Sequence, residues 1–309
     1  MDLILHLGAH RTASTALERS LSRNAGILRG EGLAIRPPKT MRRIPGFPAV
    51  RELHRHSRED AQAKAELAQV ARALRQSFDE ADQAGAGRLL ISEENMIGLM
   101  AQNLRRKTFY GDARARLAAY AHVLPQAPVR VGLGIRGYAG FWRSSYLHVL
   151  RRRSLLPFPE YAAKLAGARR GWLDLVDAVA AAFPGAEILV WTQEGLEGRV
   201  TQTACRLIGR KGAKGLKPFR RRPNRGLAPS DMPLIFRLRE ADPALVEKAL
   251  DARLADLRAA DPPTEAPTFF TEAQERAMAR RYAADLEALQ QGHAGARLLS
   301  NTDPAEVTR

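Results

Sequence analysis

An α/β fold, with a mainly parallel central sheet and helices on both faces, is predicted by two features of the chain and permitted by a third. Short apolar runs that stop at a glycine or a polar residue recur through the first two thirds. Between them lie longer segments with apolar residues at helical spacing, so strands alternate with helical crossovers. The chain's 309 residues and 45% hydrophobic content suffice to bury a full core around such a sheet.

Leu3-Ile4-Leu5-His6-Leu7 is the first apolar run, ended by Gly8, and Ala13 to Arg23 follows with helical spacing through Ala16, Leu17, Ser20 and Leu21. Residues 34 to 58 contain Arg36-Pro37-Pro38, Pro45, Gly46 and Pro48, which predict a long loop without a regular element. Residues 60 to 84 place Leu67, Val70, Ala71, Leu74 and Phe78 on one helical face, and Gly85 and Gly87 break that helix before the strand Arg88 to Ser92. That strand ends in a second strand-to-loop junction at Glu93.

The spacing then predicts a helix over 112–124, a buried strand over Pro128 to Ile135 and a helix over Tyr138 to Leu150. Tyr161 to Phe183 reads as one helix, Pro184-Gly185 as a turn, Glu187 to Trp191 as a strand and Glu197 to Ile208 as a helix. A basic loop follows, with Arg210, Lys211, Lys214, Lys217, Arg220, Arg221, Arg222 and Arg225 among glycines and prolines. From Met232 onward the pattern is helical with little strand signal, and Thr302 to Arg309 reads as a polar tail. Residues 1–210 are thus expected to form the α/β core, and 211–309 a basic loop and helical region packed on the same domain.

Forty-nine Lys and Arg against 33 Asp and Glu give a net charge of +16, which favours polyanionic partners: nucleotides, sulfated sugars, nucleic acid or anionic surfaces. Cys205 is the single cysteine, so no intrachain disulfide and no thiolate zinc site can form; it falls in a helical apolar pattern, as a structural thiol does. No cluster of His, Asp or Glu has ligand spacing, and His54 and His56 lie in the Pro-rich stretch, where solvated histidines are common, so no metal is expected. Leu3 to Gly8 is too short for a signal segment and no apolar run reaches 18 residues, so the protein is expected to be cytoplasmic, with no membrane span.

Two strand-to-helix junctions carry the chemistry. At Gly8-Ala9-His10-Arg11-Thr12-Ala13-Ser14-Thr15-Ala16, the first N–H groups of a helix, its dipole, three hydroxyls and the cation Arg11 suit a phosphate or sulfate. The same junction also reads as a helix merely capped by Thr12, and it is not a Walker A loop, since Gly-Lys is missing. At the second junction Arg136 follows the strand and Ser144 lies two turns into the next helix, a pair able to clamp a phosphate monoester or equally to serve as ordinary surface residues.

In order and placement these two elements resemble the sulfotransferase family, whose loop reads Lys-Thr/Ser-Gly-Thr-Thr and whose later Arg is followed eight positions on by Ser. Leu5-His6-Leu7-Gly8-Ala9-His10 and Ile91-Ser92-Glu93-Glu94-Asn95 are similar to the bacterial branch, and Ile188 to Glu194 with Leu207-Ile208-Gly209 is a looser likeness. The resemblance covers residues 1 to about 210. It implies a P-loop-NTPase-like sulfotransferase fold whose 1–210 core binds the nucleotide, and transfer of a sulfuryl group from 3′-phosphoadenosine-5′-phosphosulfate (PAPS) to a hydroxyl or amine. It implies that Arg11, Thr12, Ala13, Ser14, Thr15 and Ala16 bind the phosphosulfate end and that Arg136 and Ser144 bind the 3′-phosphate. Arg221 and Arg222, in the late basic loop, are further candidates for the nucleotide. Glu94, on the strand tip, is the implied base for the acceptor, with Glu93 and His10 behind it. The family's loop Lys and Gly are here Arg11 and Ala13.

The acceptor is expected to be a small molecule or carbohydrate. Two other readings stand beside transfer: a non-catalytic relative that binds a nucleotide or acidic partner, motivated by Arg11 and Ala13, and a polyanion or nucleic-acid binder, motivated by charge. No recognised nucleic-acid module is present and few aromatics flank the basic runs, so no specific nucleic acid is expected.

Overall fold

A computed structural model describes residues 1–219, 227–260 and 267–299. The chain opens with β1 (Asp2–His6), α1 (Ser14–Arg23), α2 (Ala25–Gly30), β2 (Leu33–Arg36), α3 (Pro38–Met41), α4 (Val50–His56), α5 (Ala61–Gln83) and β3 (Arg88–Ser92). It continues through α6 (Met100–Arg106), α7 (Ala113–Val123), β4 (Arg130–Ile135), α8 (Tyr138–Leu150), α9 (Pro159–Ala166), α10 (Trp172–Ala182) and β5 (Glu187–Thr192). It ends with α11 (Val200–Leu207), α12 (Met232–Ala241), α13 (Glu247–Ala260), α14 (Glu272–Gln290) and β6 (Ala296–Leu298). All six strands are parallel, in the order β2-β3-β1-β4-β5-β6.

Period-two alternation along the strands divides the core between the sheet's faces. Leu3, Leu5, Leu89, Ile91, Val131, Leu133 and Ile135 bury against one layer that includes α5, α7, α8 and α10. Ile4, Leu90 and Trp191 face the opposite way, against Leu17 and Leu21 of α1, Leu28 of α2 and Leu207 of α11. Burying a leucine completely stabilises the fold by about 1.5–3 kcal/mol, so Leu17 and Leu21 fix α1 firmly on that face.

Three expectations are corrected. Residues 34–58 are not a loop: they hold an edge strand, two helices and a 3-10 turn at Phe47–Ala49, and His54 and His56 sit on α4. The prolines there occupy helix starts, where a missing N–H costs nothing; Pro38 opens α3 and Pro48 lies in the first turn after Gly46. The single helix expected over 161–183 is two helices, interrupted between Gly167 and Gly171. The region after 232 is not purely helical, because β6 pairs with β5 through Ile188↔Ala296 and Val190↔Leu298. Cys205 is a buried free thiol. Among the described residues no helix is long and apolar enough to cross a membrane, and no group of three His, Cys, Asp or Glu is placed to hold a metal ion.

The topology positions the site. The crossover leaving β1 runs towards β2 on one side of the sheet, whereas the crossover leaving β4 runs towards β5 on the other. The adjacent carboxyl tips of β1 and β4 therefore flank the crevice where ligands of open α/β sheets bind. His6, the last residue of β1, lies beside Gly132 of β4, and both candidate junctions begin at these tips.

Candidate functional site

The loop between β1 and α1 is wound around left-handed residues. Gly8, Arg11 and Ala13 have φ of 30°, 62° and 64°. The last two carry side chains, at a cost of about 1–2 kcal/mol each in this conformation. Left-handed residues within a turn direct successive N–H groups to one side and form an anion-binding concavity. The N–H groups of Arg11, Ala13, Ser14 and Thr15 find no acceptor among the described residues. α1 has no side-chain cap: Thr12, buried, donates its hydroxyl to the carbonyl oxygen of Ala9 at 2.5 Å. The capping role open to Thr12 from sequence is thus not the one it takes, and the helix N-terminus keeps its uncompensated donors.

The two junctions meet. Arg136 Nη1 donates to the carbonyl oxygen of Arg11 at 3.2 Å, and Arg11 Nε donates to Ser144 Oγ at 2.8 Å. Ser144, expected to pair with Arg136, thus contacts the cation of the first loop. Arg136 lies back over the start of α8, where Gly140 leaves it room; a methyl group there would stand 2.9 Å from Arg136 Nε. Gly137 N–H, at the start of α8, donates to Glu194 Oε1, so that helix end is already compensated by a carboxylate.

Positive charge is crowded here. Arg11 is exposed, but partial desolvation of its guanidinium, then the charges of Arg136, Arg152 and Arg151, lower its pKa from the ordinary arginine value. No carboxylate pairs with Arg11 among the described residues. His148 sits between two guanidinia, accepting from Arg152 Nη1 at 2.7 Å through Nε2 and facing Arg11 Nη1 at 3.5 Å through Nδ1. Burial and those cations push its pKa down to about 3. A neutral imidazole that accepts through Nε2 carries its proton on Nδ1, so a donor faces a donor across that gap. An oxyanion is the chemical species that relieves both the charge crowding and this contact.

On the far side of the loop lies a carboxylate cluster. Glu93 caps the short turn that follows β3 by accepting from Asn95 N–H, and Arg42 holds it bidentately with two bonds of 2.8 Å. Burial raises the pKa of Glu93, opposed by Arg42 and the Asn95 N–H. Glu94 accepts from Arg42 at 2.8 Å and keeps 26% of its side chain exposed. Burial acts to raise its pKa, but the fields of His10 and Arg42 outweigh it and hold the carboxylate below its usual range.

His10 is buried and both its ring nitrogens are engaged, Nδ1 with Tyr110 hydroxyl at 2.9 Å and Nε2 with Asn95 Oδ1 at 3.1 Å; its own N–H also donates to that hydroxyl. It therefore braces the loop against the carboxylate side. Arg42 and Tyr110 were not singled out from sequence, because each reaches the site only through packing between remote elements; His148, one turn beyond Ser144 on α8, was missed as well. Thr15 is exposed, and Ser14 and Ala16 are partly buried on the first turn of α1. Arg221 and Arg222 lie outside the described residues. Arg210, at the start of the basic loop, is committed to Glu31 through bonds of 2.8 and 2.9 Å.

No family model, curated protein or solved structure matches the chain.

Proposed function

We propose that the chain is a sulfotransferase that moves a sulfuryl group from 3′-phosphoadenosine-5′-phosphosulfate to a hydroxyl or amine of a small-molecule or carbohydrate acceptor. The observation that carries the reading is the junction of the two strand tips. An uncapped helix N-terminus behind left-handed Arg11 and Ala13 lies against Arg136, Ser144 and His148, with no carboxylate on Arg11 among the described residues. Such a cleft suits a ligand with two separated anionic ends.

In this reading the acceptor oxygen or nitrogen forms a bond to sulfur as the bond from sulfur to the bridging phosphate oxygen breaks. The electron pair leaves on the 5′-phosphate of 3′-phosphoadenosine-5′-phosphate. The loop N–H groups and Arg11 stabilise that developing charge, and Arg136 with Ser144 orients the 3′-phosphate. Glu94 receives the acceptor's proton. Glu93 is less suited, because it is buried and saturated by Arg42 and Asn95. A carboxylate held ionised below its usual range is a weak base, so Glu94 serves best late in the transfer, when the acceptor proton has become acidic.

One observation favours a non-catalytic nucleotide binder as the second reading: the Arg11 side chain is anchored on α8 by Ser144. Calorimetry with 3′-phosphoadenosine-5′-phosphate and with AMP tests the shared site. The bisphosphate is expected to bind at least ten-fold more tightly; equal binding, or none, removes the reading. Transfer of radiolabelled sulfate to any acceptor pool separates the enzyme from the binder.

A further inference from the structure

Beneath the β1–α1 loop lie two buried ring nitrogens without partners. His6 is 2% exposed and Trp191 3%, and His6 Nε2 and Trp191 Nε1 meet no hydrogen-bonding group among the described residues. The rings stack, with centroids 5.8 Å apart, on the face of the sheet that carries α1. Two glycines in β4 make this possible. A methyl group at Gly132 would stand 2.9 Å from the distal edge of the Trp191 indole, and one at Gly134 would stand 3.0 Å from its Nε1 and 2.6 Å from Thr12 Oγ1. The indole thus lies across β4 with its N–H edge turned to the strand tip and the loop. His6 Nε2 is directed the same way: a methyl group at Gly8 would meet it at 2.6 Å and Ser14 Cβ at 2.7 Å.

The chemistry of these nitrogens is constrained. An indole Nε1–H is only a donor. His6 Nδ1 is 2.8 Å from Ser92 Oγ, and when that hydroxyl donates to Nδ1 the ring proton is left on Nε2. Burial lowers the pKa of His6 to about 4, although Glu94 opposes the shift, so the ring is neutral near pH 7. Each stranded donor costs free energy in the ligand-free protein, and two stranded donors beneath one anion-binding loop share one remedy: an acceptor rich in lone pairs.

We propose that His6 and Trp191 form a buried donor floor for the anion site. Their Nε2–H and Nε1–H bond oxygens of the phosphate or sulfate group that the loop N–H groups hold from above. This assignment rests on the anion-site reading of the loop and extends it to two residues inside the sheet. The oxyanion is gripped from both sides, which favours a tetrahedral group with three free oxygens over a planar carboxylate.

The full chain, labelled with nitrogen-15, is titrated with inorganic pyrophosphate, inorganic sulfate and acetate while the indole N–H signals are followed; Trp191→Phe assigns the relevant one. The Trp191 signal is expected to move and saturate with pyrophosphate and sulfate but not acetate. Trp191→Phe, which keeps a ring but removes the donor, is expected to bind pyrophosphate about ten-fold more weakly while the free protein still unfolds in one cooperative transition. The floor is overturned if pyrophosphate binds in an Arg11-dependent manner while the Trp191 signal stays still and Trp191→Phe binds like wild type. Absence of binding by pyrophosphate, sulfate and 3′-phosphoadenosine-5′-phosphate alike overturns the anion-site reading, and the floor with it.

Discussion

Arg136 donates a hydrogen bond from Nη1 to the carbonyl oxygen of Arg11 at 3.2 Å, across 125 positions of sequence. One guanidinium therefore both shapes the first loop and stands at the tip of the fourth strand. Replacing it with alanine is expected to weaken 3′-phosphoadenosine-5′-phosphate at least ten-fold and AMP, which needs only the loop that Arg136 props, by a smaller factor, so that calorimetry no longer separates the two. The lost hydrogen bond is charge-assisted but solvent-exposed, and it costs about 1 kcal/mol of stability.

Ala13 holds a conformation that favours glycine, with φ 64° and ψ 21°. Ala13→Gly removes about 1–2 kcal/mol of strain and returns about 0.4–1 kcal/mol through the greater freedom of the unfolded chain. A net gain of roughly 0.5–1 kcal/mol is expected, read as a higher denaturation midpoint in urea. Ala13→Val is expected to move the midpoint the other way, because a branched side chain tolerates this region least.

Glu93 and Glu94 are adjacent but predicted to fail differently. Glu94→Gln is expected to abolish sulfate transfer and leave nucleotide binding within two-fold. Glu93→Gln, which weakens the bidentate bond to half-exposed Arg42, is expected to cost about 2 kcal/mol of stability, discounted for the solvent around Arg42. Urea unfolding and a transfer assay on both variants distinguish the roles; equal stability of the two would contradict the division.

Stability is expected to fall with acid through His6. Its folded pKa of about 4 lies below the ordinary 6.5, so the unfolded chain binds the proton first. The contribution is fully present above pH 6.5 and is lost as the pH falls towards 4, by up to about 1.4 kcal/mol per unit and about 3 kcal/mol in total. Urea midpoints measured from pH 7.5 to 4.5 check this, and His6→Gln should flatten the slope by nearly one proton.

The strands β1, β3, β4 and β5 were legible because each is a continuous apolar run buried on both faces, as in Leu3 to Leu7 or Ile188 to Trp191. The edge strands were not. β2 has four residues and β6 three, and Leu33–Arg36 and Ala296–Leu298 mix charge into runs too short to show a period. The break between α9 and α10 was hidden because apolar residues continue at helical spacing on both sides of Gly167 and Gly171. In the site, Arg11, Arg136 and Ser144 could be read from two local junctions. Arg42 and Tyr110 could not, since their positions follow from tertiary packing. His6 and Trp191 were concealed differently: inside apolar strands their rings read as core, and only atomic placement shows ring nitrogens left without partners among the described residues.

The pairing of β5 with β6 also sets an order of events during synthesis. The outer edge of β5 is complete once Thr192 has been made, yet its cover at Ala296–Leu298 comes about a hundred residues later. At ribosomal speeds of about 5–20 residues per second, that edge waits on the order of 5–20 s with open hydrogen-bonding groups and apolar flanks. The nascent chain is thus most vulnerable to aggregation late in translation, and a chaperone that shields one strand edge would protect it best then.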